Sequence, residues 1–414
     1  MRKRTCVAVL VTLLVTLGVL DAPGNGWNDS ERGRKRVAPE EFAILPWSFI
    51  TPDSRTLAEL HDCGFNLAGF VEPKYVDLVA KAGLKCVVFD PRIQATDKTV
   101  DMPAEEIQSR VDAVVRDTGP SPAVFGFYLR DEPGHTMFPS LARWADALRK
   151  AAPDKPAYIN LYPCVVPDYV LTNGNYEDYV TSYVEMVRPR FISYDHYTIL
   201  EDGSVRETFY QNLETVRRVS LKHGIPFWNI VLSNAHFTYA DPSPASLRLQ
   251  AFTTLAYGAR GISYFTYLTP AIGNFRLAPI DPFGNKTPTW DMLREVNLQI
   301  HTLAPEYLKL TSVNVFHHPT VPPGCNGLES SRFLKGLTEA DLVVGEFTDA
   351  EGRPSVLVVN KSLTASKEFD VVFKEPGRIM MVNSYTGHVG PWEGEHKWLA
   401  PGQGMLLRPE AKPE

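Results

Sequence analysis

The 414-residue chain carries a formal net charge of −6, with 44% hydrophobic and 22% charged residues. This is the balance of an ordinary globular protein, long enough for one large domain and one small one. Net acidity without a long basic run argues against nucleic acid as a partner, while 17 Tyr, 21 Phe and 7 Trp suit sugar-stacking surfaces and a large core alike.

Arg2, Lys3 and Arg4 precede an uncharged apolar run over residues 6–20. That order predicts an export signal over residues 1–22, and hence a periplasmic or extracellular protein. The run is short for a membrane span. Ala22 is followed by Pro23, and Leu20 sits where a small residue is preferred, so an uncleaved membrane anchor stands as the alternative to release. Residues 23–41, rich in Gly, Pro and charge, read as a linker whose basic cluster (Arg32, Arg34, Lys35, Arg36) is solvated. Cys63, Cys86, Cys164 and Cys325 show no CxxC spacing and read as buried small apolar residues.

From residue 42 short apolar runs alternate with helical periods. Strands are predicted at 42–50, 65–71, 86–90, 124–129, 157–161, 191–197, 227–232 and 262–267. Helices follow them at 53–63, 75–82, 104–118, 138–152, 176–187, 209–222, 247–257 and 291–303. In the third helix, for example, Ile107, Val111, Val114 and Val115 share one face. Eight such alternations predict an α/β fold, a (β/α)8 TIM barrel over residues 42–304. A doubly wound sheet would bring fewer strands and a glycine-rich phosphate loop. Neither GxGxxG nor a Walker pattern occurs, and no cofactor is expected. Beyond residue 304 the pattern turns to short strands at 342–347, 355–360, 369–373, 378–382, 398–399 and 405–407, with no helical period. Residues 305–414 therefore read as a small β-sandwich that stabilises or positions the barrel.

The barrel is organised around residues 124–134, VFGFYLRDEPG. An apolar run ends abruptly in Arg130, Asp131 and Glu132, and Pro133 is expected to keep Glu132 extended beyond the strand end. Chemistry in such barrels sits at the carboxyl ends of the strands. Those ends supply Trp47, Glu72, Asp90, Arg130, Asp131, Glu132, Asp195, His196, Tyr197, Asn234, His236 and Tyr267, whereas the strand bodies are almost uncharged. Carboxylates with aromatic platforms are the equipment of glycoside hydrolysis: one acid protonates the leaving oxygen while a second attacks or activates water. Each residue also has a plainer role open to it. Glu132 suits a capping turn, Asp131 the orientation of Arg130 or a backbone amide, and Asp195 a buried ion pair. His196 and His236 suit satisfied structural histidines, Glu72 and Asp90 helix caps before proline, and Trp47 and Tyr267 packing.

Residues 126–133 (GFYLRDEP), 194–197 (YDHY), 249–252 (LQAF) and 255–265 (LAYGARGISYF) resemble segments of secreted bacterial barrel glycoside hydrolases. The nearest likeness is to the family 42 β-galactosidases and the wider clan around them, over roughly residues 42–303. The resemblance implies that Glu132, ending strand four, is the acid/base. In that clan the nucleophile is a Glu ending strand seven, but strand seven here reads FWNIVLSNAH and has no acid. Asp195, ending strand six, is the expected substitute, since strand ends of a narrow barrel lean toward one mouth. A separation of about 5–5.5 Å would mean a retaining route and about 6.5–9.5 Å an inverting one. Glu132 is expected to be protonated and Asp195 ionised.

Three functions compete. The first is an exported glycosidase acting on an oligo- or polysaccharide, and the second is a catalytically inactive barrel that binds polysaccharide. The third is a metal-dependent hydrolase or lyase using Asp90, Asp195, His196 and His236. No HxH or HExxH spacing supports a metal site, which places the third last.

Overall fold

The structure is a computed structural model and describes residues 42–410; the expected signal and linker lie outside the described residues. Eight parallel strands come first: β1 (Ala43–Pro46), β2 (Leu67–Val71), β3 (Lys85–Val88), β4 (Val124–Asp131), β5 (Ala157–Leu161), β6 (Ile192–Asp195), β7 (Phe227–Leu232) and β8 (Gly261–Phe265). The helices between and after them are α1 (Ser54–Asp62), α2 (Val76–Lys81), α3 (Ala104–Thr118), α4 (Phe138–Ala151), α5 (Tyr176–Val187), α6 (Thr208–His223), α7 (Pro244–Ala256) and α8 (Pro288–Tyr307). The strand order β1-β8-β7-β6-β5-β4-β3-β2 is that of a (β/α)8 barrel. Among the described residues no helix is long and apolar enough to cross a membrane.

The seam between β1 and β2 is closed by particular residues rather than by a regular ladder. The buried Asn66 side chain accepts from the Ile44 amide at 2.8 Å and donates to the Phe42 carbonyl at 2.9 Å, imitating a strand. Higher up, the Phe70 amide donates to Ser48 O at 3.0 Å and the Ile50 amide to Phe70 O at 3.1 Å. Gly69 permits this approach, because a Cβ there would lie 2.7 Å from Ser48 O. Asn66→Leu leaves a buried amide and a buried carbonyl unpaired. It is expected to cost about 2–6 kcal/mol, at roughly 1–3 for each orphaned group. Urea unfolding checks this, and an unchanged midpoint would mean the seam is held elsewhere.

The barrel interior is filled by aromatic rings where branched aliphatics are usual. Trp47 meets Phe70 edge-on at 4.6 Å, Tyr128 meets Phe70 at 4.7 Å, and Phe191 stacks on Trp228 at 4.4 Å. Tyr158, fully buried, lies between these groups. Bulky rings plug the barrel below its carboxyl end, which gives the mouth a solid floor.

The C-terminal module is built on an antiparallel sheet. It contains β9 (Thr311–His318), β10 (Asn326–Gly327), β12 (Leu342–Thr348), β13 (Pro354–Asn360), β16 (Ile379–Val382), β17 (Val389–Pro391) and β19 (Gly404–Pro409), ordered β10-β9-β12-β13-β19-β16-β17, with only the short β10 parallel to its neighbour. Two small pairs lie beside it: β11 (Leu334–Leu337) with β15 (Val371–Phe373), and β14 (Lys367–Glu368) with β18 (Trp398–Leu399). Side chains alternate across the main sheet. Val344, Val356 and Val358 enter the module's own core with Phe369, Phe373 and Trp392, while Val343, Leu357 and Val359 join the core of the barrel. The element they meet is α7, capped by Ser243 and buried almost all round. Helix α7 is thus apolar on two sides because it is covered on two sides, by the barrel and by the module.

Candidate active site

Three neighbouring strands assemble the site through their register. Asp131 on β4 pairs with Asn160 on β5, and Asn160 pairs with Ser193 on β6. Asn160 is therefore fixed midway between β4 and β6. Its carboxamide donates to Asp195 Oδ1 at 2.9 Å and to Asp131 Oδ1 at 3.0 Å, and its oxygen accepts from Ser193 Oγ at 3.1 Å. Tyr158 OH lies 3.0 Å from Ser193 Oγ and supports the row from below.

Glu132 is not extended, as Pro133 leads one to expect. Its φ is 44°, in the left-handed region, while its amide still donates to Asn160 O at 2.8 Å. A non-glycine residue held there stores about 1–3 kcal/mol of strain. This turn, which proline does not forbid, brings the Glu132 carboxyl across β5 to face the Asp195 carboxyl of β6, near enough for the two to titrate together.

Two carboxyl groups that face each other keep a proton between them at mildly acidic pH. Burial pushes the Glu132 carboxyl up, the Asp131 charge adds to it, and the result is about 7. Asp195, only 6% exposed, is displaced further by burial and then by the Glu132 charge. Both acids are raised and titrate as a pair, so Asp195 is not the freely ionised partner that the sequence leads one to expect. Asp131 is raised as well, by the surrounding barrel mouth. It keeps open surface, however, so water screens it and the proton-sharing pair excludes it.

The other strand-end residues divide into those gathered at this mouth and those turned away. Tyr197, half-buried, feels the charges of Asp195, Asp131 and Glu132 and stacks on Phe265 at 5.5 Å. His236 lies edge-on to Tyr197 at 5.9 Å and is held in place by Asn234 Oδ1 at 3.0 Å, while Asn234 Nδ2 donates to Phe265 O at 2.7 Å. Burial and Arg276 pull His236 down to about 4, so it is neutral. Arg130 leans toward the loop after β3, 3.3 Å from Ala95 O, with its Nε buried and lacking a partner.

His196 points outward to Thr208 Oγ1 at 3.1 Å, and burial with Arg206 drops it to about 3. Trp47 lies in the plug under the mouth, 9% exposed. Tyr267 is buried against α8, where its hydroxyl accepts from Trp290 Nε1 at 3.2 Å. Glu72 is exposed and paired with Lys74 at 2.9 Å. Asp90 caps the following turn at Arg92 N and chelates the Arg92 guanidinium at 2.7 Å; burial raises its pKa, but those bonds outweigh burial and hold it low.

Asn160 and Tyr162 were not singled out from the sequence. Tyr162, just past β5, is displaced upward by burial and by the Glu132 and Asp131 charges, which places it at the mouth. A groove of about 480 Å³ between α1 and α2, lined by Leu57, His61, Leu78 and Lys81 among others, lies on the outer wall and includes none of these residues. Among the described residues no group of three or more His, Cys, Asp or Glu is placed to hold a metal ion.

No protein-family model matches this chain, and no curated protein does. Solved structures do. A glycoside hydrolase matches at a TM-score of 0.57 and 12% identity, over 93% of this chain and 98% of that one. A β-galactosidase from the psychrophilic Marinomonas ef1 matches at 0.50 and 11%, over 66% of this chain and 62% of that one. A GH42 β-galactosidase from G. stearothermophilus matches at 0.47 and 10%, over 64% of this chain and 57% of that one. The chain spans about three-fifths of the length of the β-galactosidases it matches. What these likenesses establish is the fold: a TIM barrel of the kind found in glycoside hydrolases, followed by a β-sandwich.

Proposed function

We propose that the protein is an exported glycosidase that hydrolyses an oligo- or polysaccharide, with Glu132 and Asp195 as its working carboxyl pair. The observation that carries this reading is the pair itself, a half-buried Glu132 and a buried Asp195 that raise each other's pKa at the carboxyl end of the barrel. An acid that keeps its proton near neutral pH can deliver it to a glycosidic oxygen as the C–O bond breaks. The carboxylate left beside it stabilises the positive charge developing on the sugar, and water completes the hydrolysis. Asn160 positions Asp195, and Tyr197 with Phe265 offers an aromatic wall next to it. Export is read from the amino-terminal residues alone.

One observation favours a second reading. No acid ends β7, where the resembled enzymes carry their nucleophile. A barrel that binds polysaccharide without cleaving it has the same mouth. Reducing-sugar release from a panel of glycans, followed against pH, separates the two. Hydrolysis should be present at acidic pH and fall as pH rises through about 7, where Glu132 gives up its proton. Binding without release would support the second reading, and neither binding nor release would sink both.

A further inference from the structure

We propose that Phe237 is a sugar-stacking residue, receiving the apolar face of a pyranose ring further along the carbohydrate chain than the ring held at Glu132 and Asp195. The inference rests on the glycosidase reading of that pair and extends it to a second point of contact.

Phe237 follows β7 at the carboxyl rim of the barrel, and its residue surface is 68% exposed. Its φ is 49°, a left-handed conformation that glycine or asparagine adopts at far less cost. A lone exposed phenylalanine is unremarkable. An exposed phenylalanine on a strained backbone is not, because the chain gives up stability twice to display the ring. The strain is also deliberately held. The Asn274 side chain accepts from the Phe237 amide at 2.8 Å and donates to the Phe237 carbonyl at 2.9 Å. The loops after β7 and β8 are zipped together by Ala235 and Arg276, which exchange two backbone bonds of 2.9 Å. Arg276 is fixed in turn by Asp241 at 2.7 Å. The ring is therefore presented on a rigid wall.

Continuity with the acid pair names the occupant. Tyr197 follows Asp195 by two residues at the carboxyl end of β6 and lies 5.9 Å from His236. His236 stacks flat on Phe275, at 4.6 Å and 2°, and lies 4.9 Å from Phe237. An unbroken run of ring faces and edges leads from the acids to the rim. A carbohydrate chain offers the matching pattern, with apolar C–H faces repeating at each residue and hydroxyls around the edge.

The test uses full-length protein carrying Phe237→Gly or Phe237→Trp, an aryl monoglycoside, and a longer oligosaccharide of the same sugar. Glycine relieves the left-handed strain, so the Phe237→Gly melting temperature should equal or exceed that of wild type. Its kcat/KM on the oligosaccharide should fall about tenfold or more through KM, the size of one lost ring contact. Its activity on the monoglycoside should be unchanged, and Phe237→Trp should keep both activities. An undiminished oligosaccharide rate, or an equal loss on both substrates, overturns the proposal while leaving the glycosidase reading intact. Wild-type protein that cleaves neither substrate overturns both.

Discussion

Glu132→Gln is expected to reduce turnover of an unactivated glycoside by about 10²–10⁴-fold, the usual contribution of general acid–base catalysis. The substitution keeps the shape of the side chain and its place over Asn160 but removes one carboxyl from the pair. Asp195→Asn should do the same from the other side, since neither acid can share a proton with an amide. Stability should report the same proton. The folded protein holds a proton on Glu132 up to about 7, whereas an ordinary glutamate releases it near 4.5. The folded state therefore binds more protons across that interval. Stability from this group is complete below 4.5 and is lost as pH rises through about 7. Wild-type melting temperature should fall over that window, and the Glu132→Gln profile should be flatter. Full activity in Glu132→Gln would remove the pair from the mechanism, while an identical pH–stability slope would mean that its proton is not shared.

Gly345→Val should be the most damaging single change to the fold. Gly345 lies on β12 between Val343 and Phe347, on the side of the sheet facing α7. A Cβ there would sit 2.0 Å from the Ala256 carbonyl oxygen, backbone against backbone. Neither partner is a flexible side chain, so the module must lift away from the barrel. We expect a loss of about 3 kcal/mol or more in urea unfolding, at the upper end of overpacking costs. Gly336→Ala is the control, since its Cβ would meet only Val372 at an ordinary 3.6 Å. Equal effects at the two positions would refute the idea that the junction depends on this contact.

The barrel was legible because each of its elements declares itself locally. The strands are apolar runs that end in charge, as at Arg130–Asp131, and the helices show clear faces, as at Ile107, Val111 and Val114. The second module was only partly legible, and β9 was missed. Its polar residues read as surface, yet His317 is buried against Tyr257 OH at 2.9 Å, and Asn314 donates to the buried Glu346 at 2.9 Å. Polar groups satisfied by distant partners leave no local sign. The site followed the same rule. Glu132, Asp195 and Tyr197 stood out as ionisable or aromatic residues at strand ends. Asn160 sits within the bland run AYINL, and its role arises from the register of three strands. The coupling of the two carboxyl groups follows from the left-handed turn at Glu132, which strand position alone does not encode.

Helix α7 has a consequence for how the chain is made. Both of its apolar sides are needed, one for β7 and one for the sheet of β12, β13 and β19, and Gln250 clasps the end of β7 through the Leu232 amide at 3.1 Å. On the ribosome the barrel side emerges first. The strands that cover the other side follow only seconds later, at ~5–20 residues per second. Through that interval the nascent barrel exposes an oily stripe with nothing to put on it. A chain cut short before β12 would leave that side of α7 uncovered.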